Sequence, residues 1–105
     1  MKPLLLITIF FIGFSTASFA QTQNKKHIVE IRKMKFKPAV LNVKKGDTVV
    51  WINRDFFPHD VAGENGESWQ SSPLEKGQTF TRIITKSENY FCPLHIVMKG
   101  KLIVE

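Results

Sequence analysis

The chain has a single cysteine among its 105 residues, so no internal disulfide can staple it. It has no Gly/Ser-rich linker, no low-complexity run and no internal repeat, and nothing in it marks a boundary between domains. Its one long apolar run, Leu4 to Phe14, falls short of the roughly 20 residues that cross a bilayer as a helix, and no stop-transfer pattern follows. Acidic residues are scarce: 9 Asp and Glu stand against 15 Lys and Arg, a formal charge of +6. Much of that excess sits in Lys25, Lys26, Arg32, Lys33, Lys35, Lys37, Lys44 and Lys45. These are interleaved with apolar residues, as on the wet face of strands, so a nucleic-acid partner is not indicated.

The short apolar run has a different use. Lys2 before it and the small residues Ser18 and Ala20 after it give residues 1–20 the form of a secretory signal. Residues 21–105 then remain as one small domain, which buries only about 60–65% of its unfolded surface and has a modest core. Export places the lone thiol, Cys92, in an oxidising compartment, where it is a liability unless something occupies it.

The body of the chain reads as strands. From His27 to Ile31, Val29 and Ile31 share one face, with Glu30 and Arg32 on the other. The alternation then slips, which predicts a bulge or bend near Arg32-Lys33 and puts Met34 on the core side. Val40–Val43 is a second strand, followed by a Lys44-Lys45-Gly46-Asp47 turn. The run 48–53 is apolar and β-branched on both faces, as a central strand should be. An irregular stretch from Arg54 to Pro73 follows, then strands at 79–85, 90–92 and 101–105. Trp51 is expected in the core, Trp69 as core cover or partner contact, and His27 as a solvated strand residue. Six or seven short strands joined by turns predict an all-β sandwich.

One stretch carries chemistry: Tyr90-Phe91-Cys92-Pro93-Leu94-His95-Ile96-Val97-Met98. It sets a thiol, an imidazole and a thioether at two successive three-residue steps. Cys92 precedes proline, which favours an extended strand end, and Pro93 then opens a turn that swings His95 back. Two His, one Cys and a weak axial Met make a blue-copper ligand set, and His59 is the obvious second imidazole. A structural zinc site favours four Cys or His ligands, which this set does not match. A catalytic Cys–His pair has no need of a thioether. No general base, nucleophile or substrate pocket is evident, so an enzyme is not expected.

These residues resemble the cupredoxins, the small type 1 blue-copper proteins of the plastocyanin and amicyanin kind. The resemblance covers residues 27–105. It rests on Met34-Lys35-Phe36-Lys37-Pro38, the run from Gly46 to Asn53, Pro58-His59-Asp60-Val61, and Tyr90-Phe91-Cys92 through His95 to Met98-Lys99-Gly100-Lys101. The short Cys-x2-His-x2-Met spacing is amicyanin-like. The resemblance implies a Greek-key β-sandwich of the cupredoxin type with one copper ion held by His59, Cys92, His95 and Met98. It implies a periplasmic carrier of single electrons between larger redox partners. A copper-binding or copper-delivery protein is the alternative. Such a carrier is expected to be a monomer that docks briefly through Leu94, Ile96 and Val97 around His95, with Phe57 and Pro58 beside them, on a partner that the basic charge makes acidic. Two departures stand out. The family often has Asn after the first His and Ser or Thr after the Cys, which tie the ligand loops together. This chain has Asp60 and Pro93, and Pro93 offers neither hydroxyl nor N–H. It also has Ile96 where amicyanin-like loops usually carry Pro.

Overall fold

The structure, a computed structural model, describes residues 23–105 together with residues 3, 4, 8–10, 12 and 13. Most of the expected signal segment, including its cleavage site, lies outside the described residues. Among those described, no helix is long and apolar enough to cross a membrane.

Among the described residues eight strands form: β1 (Lys26–Arg32), β2 (Lys35–Lys37), β3 (Val40–Val43), β4 (Thr48–Asn53), β5 (Ala62–Gly63), β6 (Thr79–Ile83), β7 (Glu88–Cys92) and β8 (His95–Val104). They make two four-stranded sheets, ordered β2-β1-β4-β6 and β3-β8-β7-β5. Only β1–β2 and β7–β8 are joined within a sheet; every other connection between these strands crosses from one sheet to the other. Crossing makes β1 and β4 parallel neighbours, and likewise β3 and β8. The all-β sandwich expected from the strand pattern is thus the observed fold, and β4 is central, flanked by β1 and β6.

Alternation fixes what each strand gives the core. Val29 and Ile31 of β1, Val49 and Trp51 of β4, and Tyr90, Cys92, Met98 and Leu102 of the facing sheet are all buried. Trp51 meets the Tyr90 ring edge-on at 5.3 Å, and Phe36 does so at 4.8 Å. Edge-on contacts set the positive rim of one ring against the negative face of another. Gly100 lies opposite Tyr90 in the β7–β8 ladder, and a Cβ there would overlap the Tyr90 ring. Trp69 covers this core: it stacks on Phe80 at 6.1 Å, and the Arg82 guanidinium lies 3.9 Å over its ring.

Two local readings need correcting. The slip in alternation after Arg32 is a complete reversal of the chain. Lys33 and Met34, at φ 51° and 60°, are the two central residues of a hairpin turn between β1 and β2. Two positive φ values suit the twist of a tight hairpin but usually call for Asn or Gly. Met34 is consequently exposed and does not join the core. The second correction concerns His27. Its Nε2 lies 2.8 Å from Asp47 Oδ2, and Asp47 is buried while also accepting the Lys25 and Lys44 backbone N–H groups. Gly46, at φ 93°, makes the turn that aims Asp47 inward. This cluster fastens the start of β1 to the β3–β4 turn, at the end of the sandwich opposite Cys92.

The His27 ring, then the Lys44 and Lys25 amides, hold the Asp47 carboxyl down from its ordinary 3.8 to about 2. A carboxyl depressed in the folded state stabilises above its unfolded pKa and loses that contribution as pH falls through the folded value. Stability of the metal-free protein should therefore fall between pH 3.8 and about 2, and Asp47→Asn should flatten that slope. Urea unfolding at several acid pH values measures it; an equally steep slope in the variant would contradict the assignment.

Candidate metal centre

Cys92 ends β7, fully buried, and Pro93-Leu94 turns the chain straight back into β8. His95 therefore pairs with Cys92 in the ladder, with a register shift between Phe91 and Cys92. Sequence reasoning placed the last strand at 101–105; β8 in fact takes in the whole stretch from His95 onward. Met98 opens its inward row, ahead of Gly100 and Leu102, and is buried.

His59 arrives from the other side. It lies in the irregular stretch after β4, where His59 bridges to Leu74 and Ala62 to Gln70. Asn53, fully buried at the end of β4, organises this stretch. Its Nδ2 donates to the Phe57 and Leu74 carbonyls, both at 2.8 Å, and its Oδ1 accepts the Asp55 N–H at 2.9 Å. The outcome is that His59, also fully buried, sets Nδ1 3.9 Å from Cys92 Sγ. Its ring lies edge-on to that of His95, with centroids 4.9 Å apart. All four residues singled out from the sequence are thus at the same end of the sandwich.

This spacing suits a shared metal ion. With metal–nitrogen near 2.0 Å and metal–sulfur near 2.3 Å, two donors about 120° apart around one ion stand roughly 3.8 Å from each other. Among the described residues no three His, Cys, Asp or Glu side chains stand close enough together to hold a metal ion as they are placed. The thiol and the two imidazoles are gathered at one end, and Met98 is buried on β8 three residues on from His95. A thiol and a thioether beside imidazoles form a soft donor set, which fits copper. Burial pushes the Cys92 thiol up, the Asp60 carboxylate adds to that, and the backbone N–H groups of Asp60 and His95 oppose it. A metal must displace that proton to reach the sulfur.

Two acidic residues frame the cluster. Asp55, which sequence reasoning passed over, receives His59 Nε2 at 3.0 Å on Oδ2. The same carboxylate accepts the backbone N–H groups of Lys33 and Met34 at 2.8 and 2.9 Å. Burial works against its charge, but the Met34 and Lys33 amides and the His59 ring outweigh burial and keep the carboxyl below its usual range. Asp55 thus offsets the unfavourable turn at Lys33-Met34 and fixes the His59 ring by its outer nitrogen, leaving Nδ1 toward the thiol. Orienting an imidazole through its second nitrogen is a general device of metal sites. The other residue is Asp60, whose Oδ1 accepts the Leu94 N–H at 3.1 Å. The tie that Pro93 cannot make is made one residue later.

The fold and this cluster together define the class: a small all-β sandwich with soft donors gathered at one loop end. Residues 23–105 match the family of copper-binding proteins described as plastocyanin/azurin, and the chain belongs to that family. It is 42% identical over 84 residues to amicyanin of Paracoccus denitrificans, covering 74% of this chain and 64% of that protein, just under two thirds of its length. It is 33% identical over 107 residues to chloroplastic plastocyanin of Tetradesmus obliquus, covering 89% and 74%. The crystal structure of amicyanin from Paracoccus versutus superposes with a TM-score of 0.71 at 34% identity, over 76% of this chain and 81% of that one.

Asp55→Ala should remove the acceptor shared by two backbone amides and an imidazole. The metal-free variant is expected to lose about 1–3 kcal/mol in urea unfolding, the usual cost of stranding such groups. Stability equal to the wild type would mean the hairpin and His59 are held by other contacts.

Proposed function

We propose that the chain is a type 1 copper electron carrier, exported by a signal segment at residues 1–20 and working in the periplasm as the domain 21–105. His59, Cys92, His95 and Met98 would hold the ion, with Met98 as the weak axial donor. A bound copper ion supplies one-electron chemistry. The chain's own part is to hold the donors still. The observation that carries the reading is the approach of buried Cys92 Sγ to buried His59 Nδ1, 33 residues apart in sequence, at 3.9 Å. Buried donors fixed by Asn53, Asp55 and Asp60 favour a resident ion over one handed on, since delivery needs exchange. Membership of the copper-binding plastocyanin/azurin family and 42% identity to an amicyanin support a carrier over an enzyme.

Docking would take place around His95, which is half-buried among exposed apolar side chains. Leu94, Ile96 and Val97 adjoin it, and Phe56 and Phe57 are exposed on the His59 loop. Phe56 is an addition to the patch read from sequence; the Lys76 ammonium lies 3.7 Å over its ring. An apolar centre with a charged rim suits brief association with a redox protein. Lys33 and Lys35 belong to the basic surplus and favour an acidic partner, although Arg54 already faces Glu30 at 3.5 Å and Lys99 faces Glu64 at 3.4 Å. Rim charges act mostly on the association rate.

The copper(II)-loaded protein should be intensely blue, from charge transfer out of the Cys92 sulfur, and Cys92→Ser should lose the colour. A strongly coloured serine variant would remove Cys92 from the site. Met98→Leu should keep the colour and raise the reduction potential. A thioether stabilises the oxidised ion more than the reduced one, and a rise on the order of 59 mV corresponds to a tenfold shift. Voltammetry showing an unchanged or lower potential would exclude Met98 as the axial donor. Copper at a thousandfold excess over its Kd should also stabilise the fold by about 4 kcal/mol. Equal melting temperatures with and without saturating copper would contradict a site built from two remote loops.

A further inference from the structure

Asp60 follows His59 directly and is itself buried, with 3% of its surface exposed. Its carboxylate has three partners from two segments, Cys92 and Leu94 in the β7–β8 turn and Gln70 in the stretch after β5. Oδ1 accepts the Leu94 N–H at 3.1 Å and lies 3.3 Å from Cys92 Sγ; Oδ2 accepts from Gln70 Nε2 at 3.0 Å. Two donors from different loops therefore fix the orientation of the group, and one oxygen is held against the sulfur.

In the metal-free protein that contact is satisfied, because the thiol donates its hydrogen to Oδ1. A metal-bound thiolate has no hydrogen to give. Two electron-rich acceptors then face each other in a buried setting, where charges are weakly screened. Negative charge beside the sulfur favours the more positive oxidation state of the ion that the sulfur binds. An amide of the same shape could keep the Leu94 bond through its oxygen while lacking the charge.

We propose that Asp60 is a positioning residue that ties the two donor loops through Leu94 and also holds the reduction potential of the centre down by setting a carboxylate against the Cys92 sulfur. This rests on the type 1 copper reading. It makes the chain a better electron donor than an otherwise identical centre with an amide at position 60.

The test uses the mature copper-loaded protein at one neutral pH, with Asp60→Asn and Asp60→Ala. Voltammetry of Asp60→Asn should show the equilibrium moved at least tenfold toward Cu(I), a rise of about 59 mV for a one-electron couple. Amide hydrogen exchange on the metal-free proteins separates charge from tie. Leu94 should stay protected in Asp60→Asn and exchange at least tenfold faster in Asp60→Ala. A potential in Asp60→Asn that is unchanged or lower overturns the inference. So does a rise accompanied by loss of Leu94 protection, since the tie and not the charge would then be responsible. Unchanged Leu94 exchange in Asp60→Ala overturns the tie. If the wild-type copper protein has no blue band, the type 1 reading itself fails and takes the inference with it.

Discussion

The loop end of this molecule depends on one contact between remote segments: the thiol at the end of β7 and the imidazole of His59, both fully buried, 3.9 Å apart. Neither segment could hold its side of that contact alone. Cys92 is placed by the β7–β8 ladder, whose close approach requires Gly100 beneath the Tyr90 ring. His59 has no ladder of comparable length. It is placed by polar bonds: Asn53 shapes the turn after β4, and Asp55 takes the outer ring nitrogen. One donor is therefore positioned by a sheet and the other by a buried hydrogen-bond network. The aromatic core of Trp51, Tyr90 and Phe36 fixes the distance between the two sheets that carry them.

Such a network is sensitive in a way that the ladder is not. Removing one member leaves its partners without bonds in a poorly hydrated place, and the penalty for that exceeds the net gain from making the bond. Asp55 reaches further than the centre, because its carboxylate also holds the amides of Lys33 and Met34. Those residues sit in the left-handed region, which non-glycine side chains adopt at a cost of about 1–2 kcal/mol each. The β1–β2 hairpin and the His59 ring are consequently stabilised by the same group, and the exposed tip of a basic hairpin is joined to the interior through a single side chain.

Much of this was legible in the sequence, and the pattern of what was not has a physical cause. Strands β1 and β4 were readable because a half-buried strand writes its faces in alternate residues. The candidate donors His59, Cys92, His95 and Met98 stood out because few side chains bind soft metals, and three of them recur at close spacing. The hairpin at Lys33-Met34 was not, since neither residue is one that tolerates positive φ, and its compensation lies at Asp55. Asp55 and the Asp60–Leu94 tie escaped for a related reason: their donors are backbone amides, which every non-proline residue has. His27 looked like a solvated strand residue because its partner, Asp47, is 20 residues away in a turn. Pattern reports what side chains prefer; it is silent on which backbone group a distant carboxylate will find.

The central claim is that donors from two remote segments meet on one ion. X-ray absorption at the copper edge of the copper-loaded protein tests it most directly. The account predicts one short copper–sulfur distance with two copper–nitrogen distances of imidazole type. A first shell of nitrogen and oxygen alone, or one with a single imidazole, would contradict it.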